Sequence, residues 1–188
     1  MKGLIFVELM AFIELKLGIE GQEEVIMQAS LPNDAAFTNV GNYPGSYAAA
    51  LVAATAAHTG IPAHALCQAF GRFLYTRFEE KFPELMQQYG NARSLLDHIE
   101  RHIHEEVRTI YPDARPPSVT TREEGADYYV TYRSHRPFAH IAFGLIEQCI
   151  ASYDEDSMIA WCKGSTPSNA TFVIRRHPET GGRVMRIT

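Results

Sequence analysis

The feature that most constrains this chain is a change of texture at Pro116-Pro117. Before it, apolar residues recur at helical spacing; after it, Ser118–Thr121 and Asp127–Arg136 alternate with the two-residue period of a strand, separated by the turn Glu123-Glu124-Gly125-Ala126. A helix opened by Pro137 follows, through Ile141, Leu145 and Ile150. A second hairpin then pairs Ser157–Lys163 with Thr171–Arg175 around Gly164–Asn169. Helices in the first half and an antiparallel sheet with one intervening helix in the second define an α+β class. The expected architecture is a helical N-terminal subdomain (1–60) packed on a C-terminal subdomain (61–177) with a four-stranded antiparallel sheet. These form one domain, 1–177, and the tail 178–188 is expected to be flexible.

Within the helical half, Lys2–Leu17 is apolar on nearly every side, as expected of a helix sandwiched between other elements, with Gly18 as its stop. A short helix is expected at Glu23–Ala29, and longer ones at Ser46–Thr59 and from Pro62 to about Lys81, with a short piece at Pro83–Tyr89. Ser94 is the expected cap of a helix over Leu95–Tyr111. Its apolar stripe is Leu96, Ile99, Ile103, Val107 and Ile110.

Charge removes two classes of partner. Seventeen basic against 22 acidic residues give a net charge of -5, so nucleic acid and anionic membranes are both disfavoured. The N-terminal run carries Glu8, Glu14 and Lys16 and has neither a basic start nor a small-residue cleavage site, unlike a signal peptide or a membrane span. Cys67, Cys149 and Cys162 are widely spaced and odd in number, which suits a reducing cytoplasm better than a disulfide framework.

Chemistry concentrates in two stretches. Along Tyr128–Arg136 one strand face carries Tyr128, Val130, Tyr132, Ser134 and Arg136. A phenol, a hydroxyl and a guanidinium projecting together suit a carboxylate; the bland alternative is a solvated strand end. The preceding helix holds His98, His102 and His104. His104 and His102 flank the apolar stripe at about equal angles, so periodicity does not choose between them. His98 and His102, four apart, have the spacing to grip a metal ion, but no HExxH pattern is present and surface histidines are the plainer reading.

Taken in order, Ile103-His104-Glu105-Glu106-Val107, Tyr111-Pro112-Asp113-Ala114-Arg115-Pro116-Pro117 and Tyr132-Arg133-Ser134-His135-Arg136 resemble the H-NOX family, the haem nitric oxide/oxygen binding domains similar to the haem domain of soluble guanylate cyclase. The opening Met1-Lys2-Gly3-Leu4-Ile5-Phe6 is similar too. The resemblance implies a non-covalently bound haem b between the two subdomains, with His104 as its iron ligand. Tyr132, Ser134 and Arg136 would hold the propionates, and Pro117 would press on the porphyrin. It places Ile5, Leu9, Leu74, Ile141 and Leu145 on the distal side. Ile141 stands where oxygen-holding members have tyrosine, which implies NO binding, weaker CO binding and no lasting O2 complex.

The same resemblance implies a sensor with no catalytic residues, signalling in trans to a sensor histidine kinase or a cyclic-di-GMP enzyme. A structural zinc is not expected, since only Cys162 lies in the region where some members bind one. Two other classes compete: a haem enzyme consuming NO or peroxide, which would want a distal acid/base, and a haem-free module for an apolar carboxylate.

Overall fold

The computed structural model describes residues 1–176; the expected tail from Pro178 lies outside them. The chain runs α1 (Gly3–Ala29), α2 (Gly45–Thr59), α3 (Ala63–Lys81), α4 (Pro83–Met86), α5 (Ala92–His98), a π-helical segment (Ile99–His104), α6 (Glu105–Ile110), β1 (Ser118–Glu124), β2 (Asp127–Arg133), α7 (Ala139–Ser152), β3 (Ser157–Trp161) and β4 (Asn169–Arg176). The four strands form one antiparallel sheet, as the two hairpins predict, and the hairpins join through β2 and β4 in the order β1-β2-β4-β3.

Gly18 does not end the first helix but bends it. Its φ of 71° and ψ of 179° are non-helical, in a region that a side chain would make costly, and the helix resumes through the segment expected at Glu23–Ala29. The cap expected at Ser94 moves back three residues. Asn91 accepts from the Ser94 N–H at 2.8 Å while the Ser94 hydroxyl faces the Asn91 N–H at 3.4 Å, a reciprocal capping box that starts α5 at Ala92. The single helix expected over Leu95–Tyr111 is interrupted by the π segment, a winding that residue spacing does not encode. The strand expected to reach Arg136 ends at Arg133.

Two apolar cores result. One joins α1, α2 and the first two-thirds of α3 around Phe6, Leu9, Phe12, Leu51, Phe70 and Leu74. The other lies between α5, α7 and one sheet face, around Leu95, Leu96, Tyr128, Val130, Phe143 and Phe172. Phe78 and Leu145 pack against both. Between α3 and α7 the backbones nearly touch. A Cβ on Gly71 would come within 2.2 Å of the Ile141 carbonyl oxygen, and one on Gly144 within 2.0 Å of the Gln68 carbonyl oxygen. The two glycines let the helices cross at that distance. No single described helix is long and apolar enough to cross a membrane; α2 and α3 would pass only as a pair bent by 112°.

The cores are also tied by ions. Glu8 of α1, 1 % exposed, accepts from Arg77 at 2.8 Å and from Lys81, both on α3. Burial acts to raise the Glu8 carboxyl, but hydrogen bonds from Lys81 and Arg77 outweigh it and hold it below the usual range.

Candidate haem site

His104 closes the π segment with its side chain only 14 % exposed. Its Nδ1 lies 3.1 Å from Glu100 Oε2, and a carboxylate can only accept, so Nδ1 carries the proton and Nε2 keeps a free lone pair. Glu100 is itself held. Its carboxylate accepts from Arg108 at 2.7 Å and from the backbone N–H of Val119 on β1 at 3.1 Å. Burial would raise this carboxyl, but the bonds from Arg108, His104 and Val119 bring it below its ordinary value. Burial in turn lowers His104, against the opposing pull of Glu100, and favours the neutral imidazole, the form able to bind a metal. Sequence reasoning missed Glu100 and Arg108, although Glu100, His104 and Arg108 follow the four-residue spacing of a helix face.

Tyr132, Ser134 and Arg136 lie close together, by a different route from simple alternation. Tyr132 is buried on β2, and the chain then turns after Arg133. Ser134 Oγ accepts from the Arg136 N–H at 3.1 Å, and the Tyr132 hydroxyl lies 3.5 Å from the Arg136 carbonyl oxygen. The Arg136 guanidinium donates to the Arg115 carbonyl oxygen at 2.9 Å, which brings the loop containing half-buried Pro117 against the motif. Beside Arg136 is a cleft of about 390 Å³ lined by Met1, Tyr43, Gly45, His135 and Phe138 among others.

Basic groups gather at that cleft, with Asp113 the acid that acts against them on the Met1 ammonium. The Met1 ammonium is lowered by burial and then by Arg136, and His135 is lowered first by Arg136. Groups that repel one another's protons in this way suit a dicarboxylate guest. The Met1 ammonium and His135 were missed from the sequence because contacts between the chain's start and residue 136 are purely tertiary.

The five expected distal residues converge. Leu9 and Leu74 are 3 % and 2 % exposed within the N-terminal core, and Ile5, Ile141 and Leu145 pack against it. Phe78, one helical turn beyond Leu74, joins them. Two polar residues of α3 and α7, Tyr75 and His140, turn away from this apolar surface. Tyr75 is buried in the sheet-side core with its hydroxyl toward Cys149, burial raising both and bringing the Cys149 thiol to about 12. His140 stacks on Trp161 with ring centres 4.5 Å apart.

An apolar cluster, a sheltered imidazole with its lone pair free, and a cleft where basic groups gather match the ring, iron and acid groups of a haem in kind. The comparison with known families agrees: the family model described as haem-NO-binding matches residues 2–160. This chain belongs to that family, the H-NOX domains of haem-based gas sensors. Solved structures similar to this H-NOX chain include the unliganded Fe(II) H-NOX protein from K. algicida, 28 % identical with a TM-score of 0.87 over 97 % of this chain and 100 % of that one. The H-NOX from Shewanella woodyi, solved in its Fe(II)CO state with IWP-051 bound, is 29 % identical with a TM-score of 0.81, covering 98 % of each chain. The H-NOX from S. oneidensis in the Fe(II)NO state shares the fold at 20 % identity and a TM-score of 0.84, over 95 % of this chain and 100 % of that one. No curated protein matches the chain in sequence.

Proposed function

We propose that this H-NOX protein is a nitric oxide sensor. In this reading His104 ligates the iron of a non-covalently held haem b, Tyr132, Ser134 and Arg136 hold the propionates, and Pro117 bears on the porphyrin. The observation that carries the reading is the Glu100–His104 pair: a sheltered imidazole whose far nitrogen is fixed by a carboxylate is the usual support of a metal-ligating histidine. Haem held there would supply a ferrous centre able to take a diatomic gas.

The residues do the selecting. Ile5, Leu9, Leu74, Ile141 and Leu145 offer no hydrogen-bond donor to a gas molecule. Charge on the outer atom of O2 therefore goes unstabilised, while NO needs no such bond and CO ranks below it. They also leave the distal side without an acid/base, which favours a sensor over an enzyme.

Output rests on the element that carries His104. Glu100 links that imidazole to the β1 backbone at Val119, so a change in how His104 is held is passed to the sheet edge. A cytoplasmic partner in trans, a sensor histidine kinase or a cyclic-di-GMP enzyme, would distinguish the two positions. The division into a distal subdomain, 1–60, and a proximal subdomain, 61–177, belongs to this reading.

The deciding experiment is an absorption spectrum of the anaerobically reduced protein before and after NO. A Soret band that shifts with NO, and no lasting oxygenated spectrum in air, is expected. A colourless protein expressed with ample haem supply overturns the reading.

A further inference from the structure

The helix that carries His104 holds a second set of imidazoles on its outer side. The His98 and His102 ring centres are 4.7 Å apart with the rings tilted by 40°, and the Tyr89 ring centre lies 5.4 Å from that of His98. From this arrangement we infer that His98 and His102 form a two-nitrogen site for a first-row divalent cation, copper(II) ahead of zinc(II).

Three observations carry it. The first is spacing. With metal–nitrogen bonds of ~2.1 Å and ring centres about 1.1 Å beyond, two imidazoles on one ion stand about 4.5 Å apart at a right angle and about 5.2 Å at a tetrahedral one. The observed 4.7 Å lies between these.

The second is protonation. His98 Nδ1 is 2.7 Å from the Ser94 carbonyl oxygen, which can only accept, so Nδ1 carries the hydrogen and the lone pair sits on Nε2. His102 Nδ1 is 3.3 Å from the Tyr89 hydroxyl, which can accept its hydrogen in the same way. Both rings thus have the outer hydrogen bond that orients a metal-ligating histidine.

The third is access. His102 is exposed and His98 half-buried, so a hydrated ion can reach both, with water filling its other positions. Imidazole pairs with open water positions follow the general affinity order in which copper(II) exceeds zinc(II). A cation held there ties the junction between α5 and the π segment, two residues ahead of His104. The site uses no group assigned to haem, so it stands or falls apart from the proposed function.

The test is calorimetric titration of the purified ferric, haem-loaded protein with Cu2+ in a non-chelating buffer, with electron paramagnetic resonance of the one-equivalent complex. One ion per chain and a two-nitrogen signature are expected. His98→Ala and His102→Gln should each weaken binding at least tenfold and leave one nitrogen. Tyr89→Phe should weaken it about tenfold by removing the outer hydrogen bond. His64→Ala, next to the other paired histidine His140, should change nothing. Unchanged affinity in the His98→Ala/His102→Gln double variant, with its far-ultraviolet circular dichroism intact, would overturn the proposal. So would loss of the signal in His64→Ala.

Discussion

The imidazole of His104 gives its Nδ1 hydrogen to Glu100 at 3.1 Å, and Glu100 also accepts from the β1 backbone, so one carboxylate connects the helix to the sheet at the site. The contact fixes both the tautomer and the orientation of the ring, and it makes Glu100 as open to test as the histidine. Glu100→Gln keeps the shape and removes the charge. Haem transfer to an apo-globin acceptor should speed up about tenfold. His104→Gly should lose haem far faster, with retention restored by added imidazole; equal rates for wild type and both variants would remove His104 from the ligand position.

Arg136 and Tyr132 should differ in weight. A charge-assisted bond contributes about 1.5–3 kcal/mol and a neutral one about 1 kcal/mol. Arg136→Ala is therefore expected to raise the haem dissociation rate by roughly 10- to 100-fold and Tyr132→Phe by only a few-fold, read by the same transfer assay. If neither variant moved the rate, the propionate assignment would fail.

Ile141 packs against the core that holds Leu9 and Leu74, so a phenol placed there enters an apolar surface lacking donors of its own. Ile141→Tyr should give the reduced protein a spectrum in air that differs from its deoxygenated one and persists for minutes. Wild type should show none, as followed by stopped-flow absorption.

The α3–α7 crossing has no room for side chains. Gly144→Val would drive its methyls into the Gln68 carbonyl, already within 2.0 Å of a bare Cβ. Overpacking on this scale costs about 3 kcal/mol, a fall of roughly 6–12 °C in the melting temperature of a chain this long. Calorimetry of the variant measures it.

Glu8 gives a pH dependence with a definite sign. Its carboxyl is held below the ordinary value of 4.5 in the fold, so the unfolded chain binds the proton more tightly. The stability it contributes is complete above that value and is lost as the pH falls through the folded one. Melting temperatures recorded from pH 7 down to 3 should drop more steeply in wild type than in Glu8→Gln, which is less stable at pH 7 and has no such titration.

The class and the two hairpins were legible because both depend on local pattern, whereas the order β1-β2-β4-β3 was read only from the fold. The switch from helical to alternating spacing at Pro116-Pro117 fixes helices before and hairpins after. His104, Tyr132, Ser134 and Arg136 were singled out by spacing and by resemblance; the fold shelters the His104 imidazole and brings the other three together at the turn that ends β2.

What sequence by itself determined, then, was which residues can form each element and which side chains carry donors. Tertiary structure alone decided where they point. Glu100, four residues from His104, also meets Val119 because the π segment packs against β1. Tyr75 turns into the second core with its hydroxyl toward Cys149, and His140 packs on Trp161. Arg136 reaches Arg115 because the chain turns after Arg133. Each is a contact between segments far apart in sequence or a departure from ideal geometry. Periodicity reports only the average direction of a side chain along its own element, not what packing makes of it.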